Sequence, residues 1–218
     1  MAAREAILAR IRANLGKAGS LPEEQESAPV LAYMQSHIHG PRPQSTWPDL
    51  AVRFAEKARA LGSSVEEVAA LNEVPSAVAH YLDALGLQKN GVCWPELAAL
   101  PWAAAGMHAE ARPATGDDLV GITGSFCAIA ETGTLMLLSG ESTPATTSLL
   151  PETHIAILQT ARIVTGMEEA WALLRKEQGR MPRAVNFVSG PSRTADIEQT
   201  IVIGAHGPYR VHIIVAHP

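Results

Sequence analysis

The fold class follows from one stretch of the sequence, His154-Ile-Ala-Ile-Leu158 followed by Arg162-Ile-Val164 and Thr165-Gly-Met-Glu-Glu-Ala-Trp-Ala-Leu-Leu174. The first two segments are apolar runs of strand length. In the third, alanine and leucine recur at helical spacing, and Thr165 and Glu168 have the spacing of a capping box. Strands followed by a helix indicate a layered α/β fold.

The neighbouring sequence contains more runs of the same kind. These are Thr134-Leu-Met-Leu-Leu138, Ala184-Val-Asn-Phe-Val188 and Val211-His-Ile-Ile-Val-Ala216. Almost wholly apolar runs of this length are typical of strands that helices cover on both faces. We therefore predict a three-layer α/β/α fold with a largely parallel, Rossmann-like sheet.

The chain is predicted to have two parts. Residues 2–15 have the pattern of an amphipathic helix, and the prolines of residues 17–48 indicate an extended linker or arm. The domain then spans residues 49–218. Its first helix is expected to begin after Asp49, a good N-cap residue, and to end at Gly62.

The first half of the domain gives weaker signals. A strand is expected around Ser64–Leu71, a helix over residues 74–85 and a short strand at Gly91–Trp94. Residues 95–113 show no periodic pattern and are expected to be irregular.

Composition limits the function classes. The 218 residues carry a net charge of −5 and no basic tract, which argues against nucleic acid and anionic membranes as partners. No apolar run approaches the roughly 20 residues that a membrane span needs. Charged residues interrupt the N-terminal segment where a signal peptide would be apolar, so the expected location is the cytoplasm.

Motifs for cofactors and metals are absent from the sequence. It contains no G-x-G-x-x-G, no P-loop, no G-x-S-x-G and no H-E-x-x-H. Cys93 and Cys127 cannot supply the ligands of a four-cysteine cluster, and their apolar surroundings predict buried free thiols. We therefore expect neither a redox cofactor nor a metal site in this chain.

The first candidate motif is Ile129-Ala-Glu-Thr-Gly-Thr134. Glu131 is expected at the mouth of an apolar strand, where it can act as base, nucleophile or ligand anchor, or brace the turn. Thr132, Gly133 and Thr134 form a small turn that a substrate can approach closely.

The second candidate motif is Ser189-Gly-Pro-Ser-Arg-Thr-Ala-Asp-Ile-Glu198. We expect a strand, a tight turn and the start of a helix here, because Ser189, Ser192 and Thr194 are good N-cap residues and Gly190 suits the turn. With Arg193, such a helix N-terminus can hold a phosphate or carboxylate. The alternative is a purely structural cap.

The third candidate motif is Gly204-Ala-His-Gly-Pro208, which precedes the last strand. His206 can serve as acid or base near neutral pH, or be a turn histidine bonded to the backbone. His154, at the start of another predicted strand, has the same two interpretations.

The three motifs, together with Ser148-Leu-Leu-Pro-x-x-His154, occur in an order that resembles the lactate-utilisation protein C family of the LUD-domain group. The resemblance implies an α/β/α fold like that of glucosamine-6-phosphate deaminase, ribose-5-phosphate isomerase and CoA-transferases. It also implies work with two iron–sulfur partners, LutA-like and LutB-like proteins, in oxidising L-lactate to pyruvate. The iron–sulfur clusters are then expected on the partners.

Two other functions remain open from the residues alone. The chain can be an independent enzyme on a sugar-phosphate or acyl-CoA substrate, with Glu131 as base or nucleophile. It can also be a regulatory module that binds a small carboxylate or a nucleotide without catalysis.

Overall fold

The computed structural model describes residues 2–17, 24–40, 46–195 and 199–217, which fall into two units, residues 1–44 and residues 45–218. The first unit contains helices α1 (Ala2–Asn14) and α2 (Glu24–Ser36). Helix α1 lies where the sequence predicts one.

Helix α2 corrects the expectation of an extended arm over residues 17–48. Pro29 lies inside this helix, where it removes one internal hydrogen bond. The alanine, leucine and methionine residues that follow favour helix. The parts of the predicted arm at residues 18–23 and 41–45 lie outside the described residues.

The second unit contains both parallel and antiparallel strands. They are β1 (Ser64–Val68), β2 (Asn90–Cys93), β3 (His108–Ala111), β4 (Val120–Thr123), β5 (Cys127–Ile129), β6 (Thr134–Leu138), β7 (Thr153–Gln159), β8 (Ile163–Val164), β9 (Val185–Val188), β10 (Arg193–Thr194), β11 (Val202–Ile203) and β12 (Arg210–Ala216).

Six of these strands form the main sheet, in the order β1-β12-β7-β4-β2-β3, and every neighbouring pair is parallel. The central strands β7 and β12 are buried along almost their whole length. Together with the flanking helices, this arrangement confirms the predicted α/β fold with a largely parallel sheet.

A second sheet has the strand order β8-β5-β6-β9. Strands β5 and β6 are antiparallel, as are β6 and β9. Three apolar runs that the sequence analysis interprets as strands of an α/β fold therefore lie outside the main sheet. The short turn between β5 and β6 is the physical reason. A connection of so few residues can join two neighbouring strands only if the strands are antiparallel.

In the described residues of this unit, four α-helices accompany the sheets: α3 (Leu50–Ala60), α4 (Val74–Ala84), α5 (Thr146–Leu149) and α6 (Met167–Glu177). Helix α4 contacts β1 and β12, α5 contacts β4 and β7, and α6 contacts β5 and β8. Residues of α3, α4 and both sheets share the larger hydrophobic core, while α6 covers a smaller core on the second sheet.

Local signals at the helix ends have mixed outcomes. The Asp49 carboxylate caps α3 by accepting hydrogen bonds from the amides of Ala51 and Val52, as predicted. The prediction of a capping box at Thr165 is wrong, because Gly166 is the N-cap residue of α6 and no side chain forms a capping hydrogen bond at that position. Strand β3 also corrects the expectation that residues 95–113 are wholly irregular.

Candidate functional site

A cavity of about 620 Å³ lies at the carboxyl ends of β2, β4 and β7. Its lining includes Trp94 and Glu96 after β2, Gly124 and Ser125 after β4, and Gln159 at the end of β7. Ligands of open α/β sheets bind in crevices outside the carboxyl ends of the strands. This cavity is therefore the main candidate site that the fold itself creates.

Glu96 and Gly124 are in close contact within this cavity. A Cβ atom on Gly124 would lie 2.2 Å from Glu96 Oε1 and 3.7 Å from the Trp94 ring. Glu96 is exposed as a residue, but its carboxyl group lies against this wall, and burial there raises its pKa. The cavity thus contains an acid that holds its proton more readily than a fully solvated glutamate does.

Arg162 is the other ionisable residue among the described residues that line the cavity. Its Nη1 and Nη2 atoms donate to the two carboxylate oxygens of Glu177 at 2.8 and 2.9 Å, and its Nε donates to the Phe126 carbonyl at 2.7 Å. The bond with Glu177 raises the pKa of Arg162. The charge of Arg162 is therefore already paired inside the protein.

None of the residues predicted from the motifs lines this cavity. The structure instead connects the first two motifs at another place. The Thr132 hydroxyl donates to Thr134 Oγ1 at 2.8 Å, and Thr134 Oγ1 lies 2.5 Å from Ser189 Oγ. These three side chains are called the hydroxyl cluster below.

The two glycines beside the hydroxyl cluster face helix α3 and the residue that follows it. Gly133 has φ +68°, and a Cβ there would lie 2.4 Å from the backbone nitrogen of Ala58. Gly190 has φ +84°, and a Cβ there would lie 2.4 Å from the carbonyl oxygen of Leu61. The sequence analysis expects a substrate to approach the backbone at Gly133. In the structure, the atoms that come this close to the backbone belong to the α3 region.

Glu131 lies near the start of α6. A Cβ on Gly166 would lie 3.2 Å from Glu131 Oε2 and 3.1 Å from Glu169 Oε2. The Glu131 amide also donates to the Thr165 carbonyl at 3.0 Å. A helix N-terminus favours a carboxylate electrostatically, so this position suits a bracing role as well as a reactive one.

Arg193 and Thr194 do not form the start of a helix, so the predicted strand–turn–helix arrangement is wrong. Both belong to β10, which pairs with Val202 and Ile203 of β11. Strand pairing with these β-branched partners replaces a helix start. Asp196, Ile197 and Glu198, at the end of the motif, lie outside the described residues.

The exposed Arg193 side chain donates from Nη2 to the Leu61 carbonyl at 2.7 Å. Leu61 is the C-cap residue of α3, where a cation is favoured. The observed bond therefore gives Arg193 a capping role on α3.

The third motif lies beside the second. The Ser192 amide donates to the Pro208 carbonyl at 2.8 Å, and the Gly204 amide donates to the Ser192 carbonyl at 2.9 Å. His206 is exposed, and no hydrogen bond or ion pair joins it to another residue in the described part of the chain. The expected backbone contact of a turn histidine is thus not seen.

Two other histidines are deeply buried. His154 is 0% exposed, its Nε2 lies 2.8 Å from Thr123 Oγ1, and burial lowers its pKa to about 4. His212 stacks on Tyr81 with ring centres 3.9 Å apart, and burial likewise lowers its pKa to about 4. Both are packed in the domain interior as neutral side chains.

The cysteines are buried free thiols, as predicted. Burial raises the pKa of Cys93 and of Cys127 to about 11, so both remain protonated at neutral pH. Within the described ranges no group of three or more histidine, cysteine or acidic residues could hold a metal ion. No helix in those ranges is long and apolar enough to cross a membrane.

The sequence analysis missed Glu96, Gly124 and Arg162. A signal for Glu96 was present, because it comes directly after the predicted strand Gly91–Trp94. Carboxyl ends of parallel strands are common places for ligand-binding residues. The pairing partner of Arg162 and the contact at Gly124 depend on tertiary structure alone.

Comparison with known proteins finds several relatives named Lactate utilization protein C. It is 44% identical to Lactate utilization protein C of Geobacillus sp. (strain WCH70) over 99 residues, or 44% of this chain and 41% of that protein. With the protein of the same name from Shouchella clausii it shares 43% identity over 98 residues, or 44% and 43% of the two chains. The match thus spans less than half the length of these curated relatives.

A solved structure supports the fold. A DUF162 family protein from Deinococcus radiodurans, whose crystal structure is known at 1.70 Å resolution, aligns with a TM-score of 0.58 and 26% identity. The alignment covers 77% of this chain and 96% of the other.

The motif-bearing half of the chain gives the family assignment. The LUD domain profile matches residues 94–216, more than half of the chain. That range includes the hydroxyl cluster, both glycines that face the α3 region and the loop of the third motif. The resemblance to lactate-utilisation protein C is thereby confirmed, and the chain belongs to the LUD domain family.

Proposed function

We propose that this protein is a cytoplasmic component of an L-lactate utilisation system. In this proposal it acts with LutA-like and LutB-like iron–sulfur proteins in the oxidation of L-lactate to pyruvate. The observation that carries the proposal is the match of the motif-bearing half to proteins named Lactate utilization protein C at 43% to 44% identity.

The two thiols of this chain are poor candidates for the electron acceptor. Oxidation of lactate removes two electrons, which a cofactor or a redox-active thiol pair must accept. Cys93 and Cys127 lie in β2 and β5, which belong to different sheets, and both have a pKa near 11. They do not have the reactivity of a low-pKa dithiol.

Glu131 is the residue for which we propose a catalytic or ligand-anchoring role. It is half-buried, and its carboxylate lies beside Gly166 near the start of α6. His206 and the anion-binding role of the turn from Ser189 to Thr194 remain proposals of the same kind. Arg193 is exposed at this turn and is available to an anion. The helix N-terminus that the sequence predicts beside it is not formed at Arg193 and Thr194.

The proposal is tested by dye reduction. The pure chain is mixed with L-lactate and an artificial electron acceptor, first alone and then with the iron–sulfur partner proteins. We expect background reduction by the chain alone and lactate-dependent reduction by the mixture. Lactate-dependent reduction by the chain alone would contradict the proposal, while inactivity of the mixture would favour an independent enzyme on a sugar-phosphate or acyl-CoA substrate.

A further inference from the structure

The cavity at the carboxyl ends of β2, β4 and β7 has the size of a small-molecule site. Its volume of about 620 Å³ falls in the range of roughly 300 to 1,000 Å³ that is typical of ligand pockets. Its lining is shared between apolar and polar side chains. The motif residues do not line it, so its ligand has to be inferred from the residues of the cavity themselves.

The charges of the cavity favour a cation over an anion. Arg162 is paired with Glu177 in two hydrogen bonds. Glu96 forms no hydrogen bond or ion pair with any residue of the described part of the chain. The unpaired charge in the cavity is therefore negative whenever Glu96 is ionised. A small carboxylate would meet repulsion there, whereas an ammonium group would find a partner.

The wall beside Glu96 is aromatic and aliphatic. The Trp94 ring lies next to Gly124, which also contacts the Glu96 carboxylate. Leu97 and Leu100 follow on the same segment and line the cavity too. The carboxylate can pair with a cationic nitrogen of a ligand. The tryptophan ring and the leucine side chains beside it can pack against an aromatic ring of the same ligand.

We propose that this cavity binds an arylalkylamine, an amine joined to an aromatic ring through an alkyl chain, with the ammonium group at Glu96 and the ring against the wall of Trp94, Leu97 and Leu100. Gly124 keeps the space beside this wall free, so that the carboxylate can lie close to the sheet end. The cavity correspondingly rejects carboxylates, including lactate. The proposal does not depend on the role in lactate utilisation.

The test uses two probes that share a ring and differ in charge. Tryptamine carries an ammonium group on an indole, and indole-3-propionate carries a carboxylate on the same ring. Titration calorimetry with the full chain at pH 7.5 should show that tryptamine binds about tenfold more tightly or better. The Glu96→Gln variant should lose this preference, because the negative charge is gone and the shape is kept.

A second variant displaces the Glu96 carboxylate instead of neutralising it. Gly124→Ala places a methyl group 2.2 Å from the present position of Glu96 Oε1, so the flexible carboxylate must move away. The φ of Gly124 is not in the left-handed region, and alanine therefore fits the backbone. This variant should also lose the preference for tryptamine. Asp117→Asn, in a smaller depression elsewhere on the domain, is the control and should keep it.

Three results would overturn the proposal. They are equal or tighter binding of indole-3-propionate, failure of millimolar tryptamine to bind the wild-type chain, and a preference that survives in both Glu96→Gln and Gly124→Ala. Melting curves of each variant confirm that it is folded. The outcome is independent of any lactate-dependent assay, so failure here leaves the proposed function untouched.

Discussion

The Thr134 hydroxyl lies 2.5 Å from the Ser189 hydroxyl, across 55 residues of sequence. Thr134 is 4% exposed whereas Ser189 is exposed, so this hydrogen bond links the first two motifs at a half-buried position. The bond also joins the start of β6 to the residue that follows β9. It therefore contributes to the stability of the second sheet as well as to the position of the motifs.

The strength of this link can be measured with a double-mutant cycle. Thr134→Val keeps the shape of the side chain, and Ser189→Ala removes the partner hydroxyl. Each single variant should lower the free energy of unfolding by about 0.5 to 1.5 kcal/mol, and the pair should show a coupling of about 0.5 to 1 kcal/mol. Chemical denaturation provides the measurement, and strictly additive effects would show that the two hydroxyls do not interact.

Gly133→Ala should be strongly destabilising. The positive φ of Gly133 is unfavourable for alanine, and the new Cβ would overlap the backbone nitrogen of Ala58, which cannot yield as a side chain does. We expect a loss of more than about 2 kcal/mol in the free energy of unfolding. Gly116→Ala is the matched control, since nothing lies within 4 Å of its Cβ position. A control loss as large as that of Gly133→Ala would refute the explanation.

His154 should make the protein less stable in acid. Its pKa is near 6.5 when unfolded and about 4 when folded, so the unfolded chain takes up a proton at higher pH than the folded one. The stability that the neutral ring contributes is complete above pH 6.5 and is lost as the pH falls towards 4. The loss is on the order of 3 kcal/mol.

The His154→Gln variant removes this titration and can keep the bond to Thr123. Its free energy of unfolding should therefore fall less steeply between pH 6.5 and 4 than that of the wild type. His206→Gln, at an exposed position, should leave the slope unchanged. Identical slopes for wild type and His154→Gln would argue that another group controls acid stability.

Arg193→Ala should weaken the C-terminal end of α3. The variant loses the hydrogen bond to the Leu61 carbonyl, which we expect to cost about 0.5 to 1 kcal/mol because the side chain is exposed. Thermal unfolding measures the effect, and Arg193→Lys should restore part of it. Calorimetric titration of inorganic phosphate tests the anion-binding proposal separately: weaker phosphate binding in Arg193→Ala would support it.

Glu131→Gln separates a functional role from a structural one. If Glu131 acts on a substrate or anchors a ligand, the variant should melt within about 2 °C of the wild type and fail to support growth on L-lactate. Glu141→Gln, at an exposed position outside the motifs, serves as the control. A large drop in melting temperature with growth retained would instead establish the bracing role.

Several features were determined by the sequence itself because their signals are local. The Asp49 cap and the left-handed Gly62 delimit α3 through groups within a few residues of each other. The apolar runs predicted the central strands β7 and β12, since burial on both faces favours apolar side chains at most positions. The ordered motifs predicted the family, and the family assignment followed.

Tertiary structure alone decided how the strands are divided and where the cavity lies. An apolar run such as Thr134–Leu138 looks the same in a parallel and in an antiparallel sheet, and only its pairing with β5 and β9 distinguishes them. The contact of Glu96 with Gly124 joins the ends of two strands that meet because β2 and β4 are neighbours. Pairing depends on contacts between residues distant in sequence, which local propensities do not encode.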